Sequence, residues 1–181
     1  KNDIIYPTRG SYISYKHELG MLNDVEYYSE LGTMEGYANV TSKLSLNASL
    51  TGGSVGGANI PLGRHFKLGG INSNLNDNYV AFYGYNTMRK LASEFAIGQI
   101  GMQYNIYHKF YFLSKINLLT YSSVEDVPIL DDDNKIFEHY KLGYGVTLGY
   151  KSLVGPLEVS LTNDADKAND FIITVNMGYV F

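Results

Sequence analysis

DFIITVNMGYVF, residues 170–181, decides the fold. Phe171, Ile173, Val175, Met177, Tyr179 and Phe181 occupy every second position, with Thr174, Asn176 and Gly178 between them. A period of two sends the two sets to opposite sides of a β-strand. Ile172 and Val180 are the exceptions on the polar side. The stretch ends on an aromatic, whereas the ends of soluble domains are usually polar and frayed. A strand of about ten residues crosses a bilayer at a tilt. On this stretch alone, the last strand of a soluble β-sandwich fits equally well.

Working upstream, the alternation recurs seven times. Strand one is expected at about 11–21, with Ile13, Tyr15, His17 and Leu19 opposite Ser14, Lys16 and Glu18. Strand two follows at about 28–40. Strand three is the cleanest, with Leu44, Leu46, Ala48 and Leu50 against Ser45, Asn47, Ser49 and Thr51. Strands four to seven are expected at about 91–106, 110–121, 137–150 and 157–162. Three connections are tight, near Thr41, His108 and Gly155; four are longer or more polar, at 23–26, 52–90, 122–135 and 163–169. An even number of strands with short turns on one side and long loops on the other describes a transmembrane antiparallel β-barrel. Aromatics gather at both sets of strand ends: Tyr104, Tyr107, Phe110, Tyr150 and Phe181 by the tight turns, Tyr27, Tyr28, Tyr121, Phe137 and Phe171 by the long loops. Membrane barrels carry two such girdles, and a sandwich has no need of them.

Composition agrees. The chain has 181 residues, enough for one domain, 1–181, with 17 tyrosines, 19 glycines and no tryptophan. No apolar run approaches the roughly 20 residues of a membrane helix. The absence of cysteine excludes disulfides and thiolate metal sites, and a net charge of −4 gives no electrostatic case for nucleic acid. The sequence begins on Lys1 without a signal peptide, which reads as a processed or trimmed chain.

The segment 52–90 lacks a period but is too apolar to wave in water, with Leu62, Phe66, Leu68, Ile71 and the run Tyr79 to Tyr85. It contains PLGRHFKLGG at 61–70 and FYGY at 82–85. Phe66, Leu68, Gly69 and Gly70, then Gly84 and Tyr85 after a spacer, resemble the conserved loop of the outer membrane protein 85 kDa superfamily. Tyr6, Pro7, Thr8, Arg9 and Gly10 resemble that family's Pro-x-x-Gly lead into a barrel strand. Val175, Met177, Tyr179 and Phe181 resemble the C-terminal signal by which outer-membrane barrels are inserted. Family members commonly carry Arg-Gly-Phe or Arg-Gly-Tyr at the loop tip; here Tyr83 replaces the arginine, and Arg64 or Arg89 is its available substitute. Nothing here resembles the family's POTRA domains or a patatin lipase segment. The family barrel has sixteen strands, and three precede the motif loop and five follow it in its C-terminal half, as here.

The resemblance implies a bacterial outer-membrane barrel of the protein-assembly and secretion superfamily, in a minimal POTRA-less form. Its partners would be outer-membrane lipid and an unfolded barrel or passenger polypeptide. The alternative is a small structural or pore-forming barrel. The eight strands are expected to complete a sixteen-stranded barrel as a homodimer, strand one meeting strand one and strand eight meeting strand eight. The reason is volume: the loop would not fit an eight-stranded lumen. The rival is a closed eight-stranded monomer with the loop over its outer mouth.

Other constellations are weaker. His17, His65, His108 and His139 lack metal spacing. Asp131, Asp132 and Asp133, near Glu125 and Asp126, read as a solvated loop before a calcium site. Ser14 with His17, and Ser114 with His108, sit at offsets unsuited to a nucleophile and its base. No catalytic residue, metal or cofactor is expected. Lys16, Glu18, Glu35, Lys115, Lys141 and Glu158 oppose the apolar face and would either pair or line a wet channel. Gly143, Gly145 and Gly149 are expected to mark a bend or the close approach of another segment.

Overall fold

The computed structural model describes residues 1–3, 5–22, 25–57, 60–71, 78–86, 89–124, 136–137, 140–166 and 170–178. They form one all-β sheet of ten strands, not eight: β1 (Gly10–Leu22), β2 (Val25–Asn39), β3 (Leu44–Gly57), β4 (Phe66–Leu68), β5 (Tyr79–Val80), β6 (Lys90–Tyr107), β7 (Phe110–Ser123), β8 (Lys141–Ser152), β9 (Gly155–Asp164) and β10 (Ile172–Met177). Eight of them run antiparallel in the order β1-β2-β3-β6-β7-β8-β9-β10. The other two, β4 and β5, lie in the segment expected to be irregular. That segment also starts later than expected, because β3 continues through Gly52, Gly53, Gly56 and Gly57. Among the described residues β1 and β10 are not paired with each other, so the sheet is open.

The register gives the tilt. Lys16, in the middle of β1, lies through Leu31 and Gly53 in the row of Phe95 on β6. Thr174, in the middle of β10, lies through Ser160, Thr147 and Leu113 in the row of Gln103, eight residues further along β6. At about 3.4 Å per residue and about 4.8 Å between strands, that displacement over seven spacings inclines the strands by roughly 40°. Barrel strands tilt by about 35–45°.

One face of the sheet is apolar and open. Ile13, Leu19, Met34, Leu50, Ile100, Leu148, Val159, Ile173, Val175 and Met177 are all exposed on it. On β6 this face runs from Ala96 to Ile106, with exposed Glu94 beyond it. Ten residues at that tilt rise about 25 Å, the height of the apolar band of a membrane barrel. The three tight turns come where expected. Thr41 Oγ1 accepts from the backbone N–H of Lys43 and Leu44, and His108 turns the β6–β7 hairpin at φ 48°.

The girdles hold only in part. Tyr28, Tyr104, Tyr107, Phe110, Phe137 and Phe171 are exposed, but Tyr27 and Tyr121 are buried. Both sit at inward positions of the pleat, and parity outweighs their closeness to a strand end. Phe181, Tyr179, His139 and the acidic run 131–133 lie outside the described residues.

Candidate functional site: the loop on the inner face

The core does not lie between two sheets. It lies between the inner face of this sheet and the motif loop. Phe66, Leu68, Val80, Phe82 and Tyr85 from the loop bury against Val55 of β3, Ala92, Phe95 and Ile97 of β6, and Leu119 and Tyr121 of β7. Burying such side chains contributes about 1.5–3 kcal/mol each, which is what holds so long a segment down. Gly53 on β3 leaves the space for two of them. A Cβ there would sit 2.8 Å from the Phe66 ring and 2.9 Å from the Phe95 ring. Those two rings meet edge to face at 4.8 Å.

Backbone pairing fixes the loop's path. β4 extends the sheet by pairing antiparallel with β6, Phe66 opposite Ala92, and β5 pairs parallel with β4. Gly69 and Gly70 then turn the chain at φ 135° and 74°, values open to glycine. The Gly70 N–H donates to the Tyr85 carbonyl at 2.9 Å, and the Phe82 N–H donates to the Gly70 carbonyl at 3.0 Å. The two halves of the sequence motif, 66–70 and 84–85, are thus one hydrogen-bonded unit. Gly84, at φ 107°, passes so close to β9 that a Cβ would lie 2.6 Å from the Asn163 carbonyl.

Strand β8 shows what its inward glycines are for. A Cβ on Gly145 would lie 2.8 Å from the Tyr83 ring, and one on Gly149 would lie 2.2 Å from the Tyr6 hydroxyl. They mark close approach of other segments, one of the two expectations. With its amide turned to satisfy both ends, Asn117 of β7 donates to the Gly143 carbonyl and accepts from the Tyr83 N–H, each at 2.8 Å. Lys115 stands 5.2 Å over the Tyr83 ring.

Arg64 reaches the opposite side of the sheet. It donates to Glu18 of β1 at 3.1 Å and lies 5.1 Å over the Tyr27 ring, while the Tyr27 hydroxyl donates to the same carboxylate oxygen at 2.9 Å. Lys16 adds a looser contact to Glu18 at 3.9 Å. Arg64 therefore ties the loop to β1, and Arg89 instead lines a cleft of about 520 Å³ with Tyr85, Lys141, Asp164 and Asp166 beside Ile172, the first residue of β10.

The residues before β1, expected only to lead into that strand, cover the tight-turn end of the same face. The Tyr6 ring stacks on Tyr111 at 4.3 Å and its hydroxyl donates to Glu158 at 3.0 Å. Burial, then Glu158, pushes that hydroxyl's pKa up. Lys1 pairs with Glu35 and Lys151 with Asp3. Burial alone would raise the Asp3 carboxyl; the bonds from Lys151 and from the N–H of Ile5 and Tyr6, with the lysine charge, outweigh it and hold it below its usual value. Of the six inward charges, Lys16, Glu18, Glu35, Lys141 and Glu158 have hydrogen-bonded or ionic partners and Lys115 an aromatic one.

The histidines are dispersed. His65 is buried beside the Pro61 carbonyl, His17 faces Glu30 at 3.3 Å on the outer side, and His108 is in a turn. Ser14 and His17 fall on opposite faces of β1. Val175 and Met177 point outward from β10.

A comparison with curated proteins gives no match. The profile of the OMP85 superfamily, in contrast, matches residues 1–181, the whole of this sequence, with its glycine-bounded loop seated on the inner face of the sheet; the chain belongs to the OMP85 superfamily.

Proposed function

We propose that this chain is a bacterial outer-membrane β-barrel that assists insertion or translocation of polypeptide, its open sheet completed to sixteen strands by a second copy. The observation that carries this reading is the filled inner face. A loop anchored by Arg64, Asn117 and an aromatic core is a plug held by separable contacts, not a wall. Superfamily membership supports the outer-membrane location and the class of activity. The exposed apolar band supports lipid as the surrounding medium, and the free edges of β1 and β10 support completion by further strands.

The expected seam pairs like strand with like. Two copies inserted the same way round, related by a two-fold axis along the barrel, instead bring β10 of one against β1 of the other. That arrangement keeps every neighbour antiparallel.

The test is reconstitution. The full chain in phospholipid vesicles is expected to accelerate folding of an unfolded outer-membrane barrel, and Arg64→Ala with Glu18→Gln is expected to change that rate. Steady ionic conductance without any acceleration would favour the small pore-forming barrel instead.

A further inference from the structure

The outer face carries a feature that neither the loop nor the family assignment uses. Across β2, β3 and β6, two neighbouring rows of outward side chains are Gly36, Ala48 and Ile100, then Ala38, Leu46 and Met102. Gly36 has nothing within 4 Å of where a Cβ would stand. The small residues form the floor and the larger ones the walls of an apolar groove of about 710 Å³. It opens on the apolar band and runs toward the tight-turn end.

That end is basic. Lys43 begins the step into β3, and its carbonyl accepts from the Asn105 N–H of β6, so it sits beside the groove's β3–β6 side. Lys109 is in the next hairpin turn, and Arg9 precedes Gly10, which itself lines the groove. All three are exposed, and among the described residues none is in an ion pair. The carboxylates nearest this end, Asp3, Glu35 and Glu158, belong to the inner face and are committed to Lys151, Lys1 and Tyr6. Positive charge is therefore left at the mouth of an apolar groove.

We propose that the groove holds an acyl chain of an anionic phospholipid, whose phosphate rests on Lys43, Lys109 and Arg9. The occupant follows from charge complementarity and from continuity with the lipid-facing band. A peptide would need a row of polar partners along its backbone, and among the outward residues that line the groove only Ser114 carries a polar side chain. The proposal rests on the membrane reading above.

The test is native mass spectrometry of the full chain in mild detergent, offered phosphatidylglycerol or phosphatidylcholine in turn. The chain is expected to retain phosphatidylglycerol in preference. Lys43→Gln with Lys109→Gln is expected to cut that retention about fivefold per charge, leaving phosphatidylcholine unchanged. Ala48→Phe, which fills the groove, is expected to reduce both. A heat-modifiable band on gels checks that each variant is folded, and the lysine variants leave the core untouched if Ala48→Phe misfolds. Equal retention of the two lipids, or wild-type retention by the lysine variant, overturns the site. So does loss of dimer in Ala48→Phe without any bound lipid, which would make the groove a protein interface. Failure of the chain to enter vesicles at all would instead overturn the membrane reading.

Discussion

A Cβ on Gly143 would sit 1.5 Å from the carbonyl oxygen of Tyr83. The strand and the loop touch there backbone to backbone, and no side chain of either can yield. Gly143→Ala is therefore expected to lift the 82–85 segment off β8 and break the paired bonds of Asn117. Overpacking of this kind costs about 1–3 kcal/mol. Gly98→Ala is the control, since nothing lies within 4 Å of its Cβ direction. Limited proteolysis should cut the loop of Gly143→Ala far faster than that of Gly98→Ala; equal protection would mean the loop is not held at this point.

Arg64 and Glu18 give the second prediction. They join the loop to β1 across the sheet, with the guanidinium also over Tyr27. Both side chains are about one-third exposed or more, so solvent screens the pair. A double-mutant cycle with Arg64→Ala and Glu18→Gln should return a coupling of about 0.5–1 kcal/mol. Additive losses would show that the contact contributes nothing beyond packing.

His65 sets the pH dependence. Burial pushes its pKa down, and the backbone carbonyl groups beside it only partly oppose this. The unfolded chain then binds a proton that the folded loop resists, so stability is undiminished above the ordinary value of about 6.5 and falls as pH drops through the folded value. Loop protection should weaken on acidification below the ordinary histidine value, and His65→Gln should flatten the profile there. A profile unchanged by that substitution would place the sensitivity elsewhere. Asp3 points the same way at lower pH: its depressed carboxyl favours the folded state above its unfolded value and loses that contribution as it protonates.

Much of this was readable from residues alone, for one reason. A lipid-facing strand must alternate, so Leu44 to Leu50 or Ile173 to Met177 announce both strand and face. The inward glycines of β8 were legible too, because glycine in a strand costs packing unless something approaches. The loop was not. β4 and β5 have three and two residues, too few to show a period, and they pair parallel with each other, which no tight hairpin turn announces. Tyr27 and Tyr121 stand at strand ends, where a girdle is expected, but the parity of the pleat sends both inward. The role of Tyr6 was hidden for another reason: its partners, Tyr111 and Glu158, are more than a hundred residues away, and only the rolled sheet unites them.

The seam is the last prediction. An open edge in hydrocarbon leaves a row of N–H and C=O groups unpaired, each costing several kcal/mol, so β1 and β10 have to be met. Closing β1 onto β10 of the same chain would make an eight-stranded barrel, whose interior holds little more than its own side chains. Here the inner face already carries loop residues from 60–71 and 78–86 and the segment before β1, including the stacked Tyr6 and the aromatic core. Both would have to leave. A second copy leaves them in place, and with both copies inserted alike the new contacts run from β10 to β1. The chain has no cysteine, so single pairs can be introduced cleanly. Cysteines are placed at Thr174 on β10 and, one at a time, at positions 11 to 21 of β1, then oxidised in membranes. Disulfides that give dimers at one narrow set of β1 positions, together with a dimer mass in mild detergent, are the expected result. Disulfides only within one chain, with a monomer mass, would mean that the sheet closes on itself and that the loop moves out to let it.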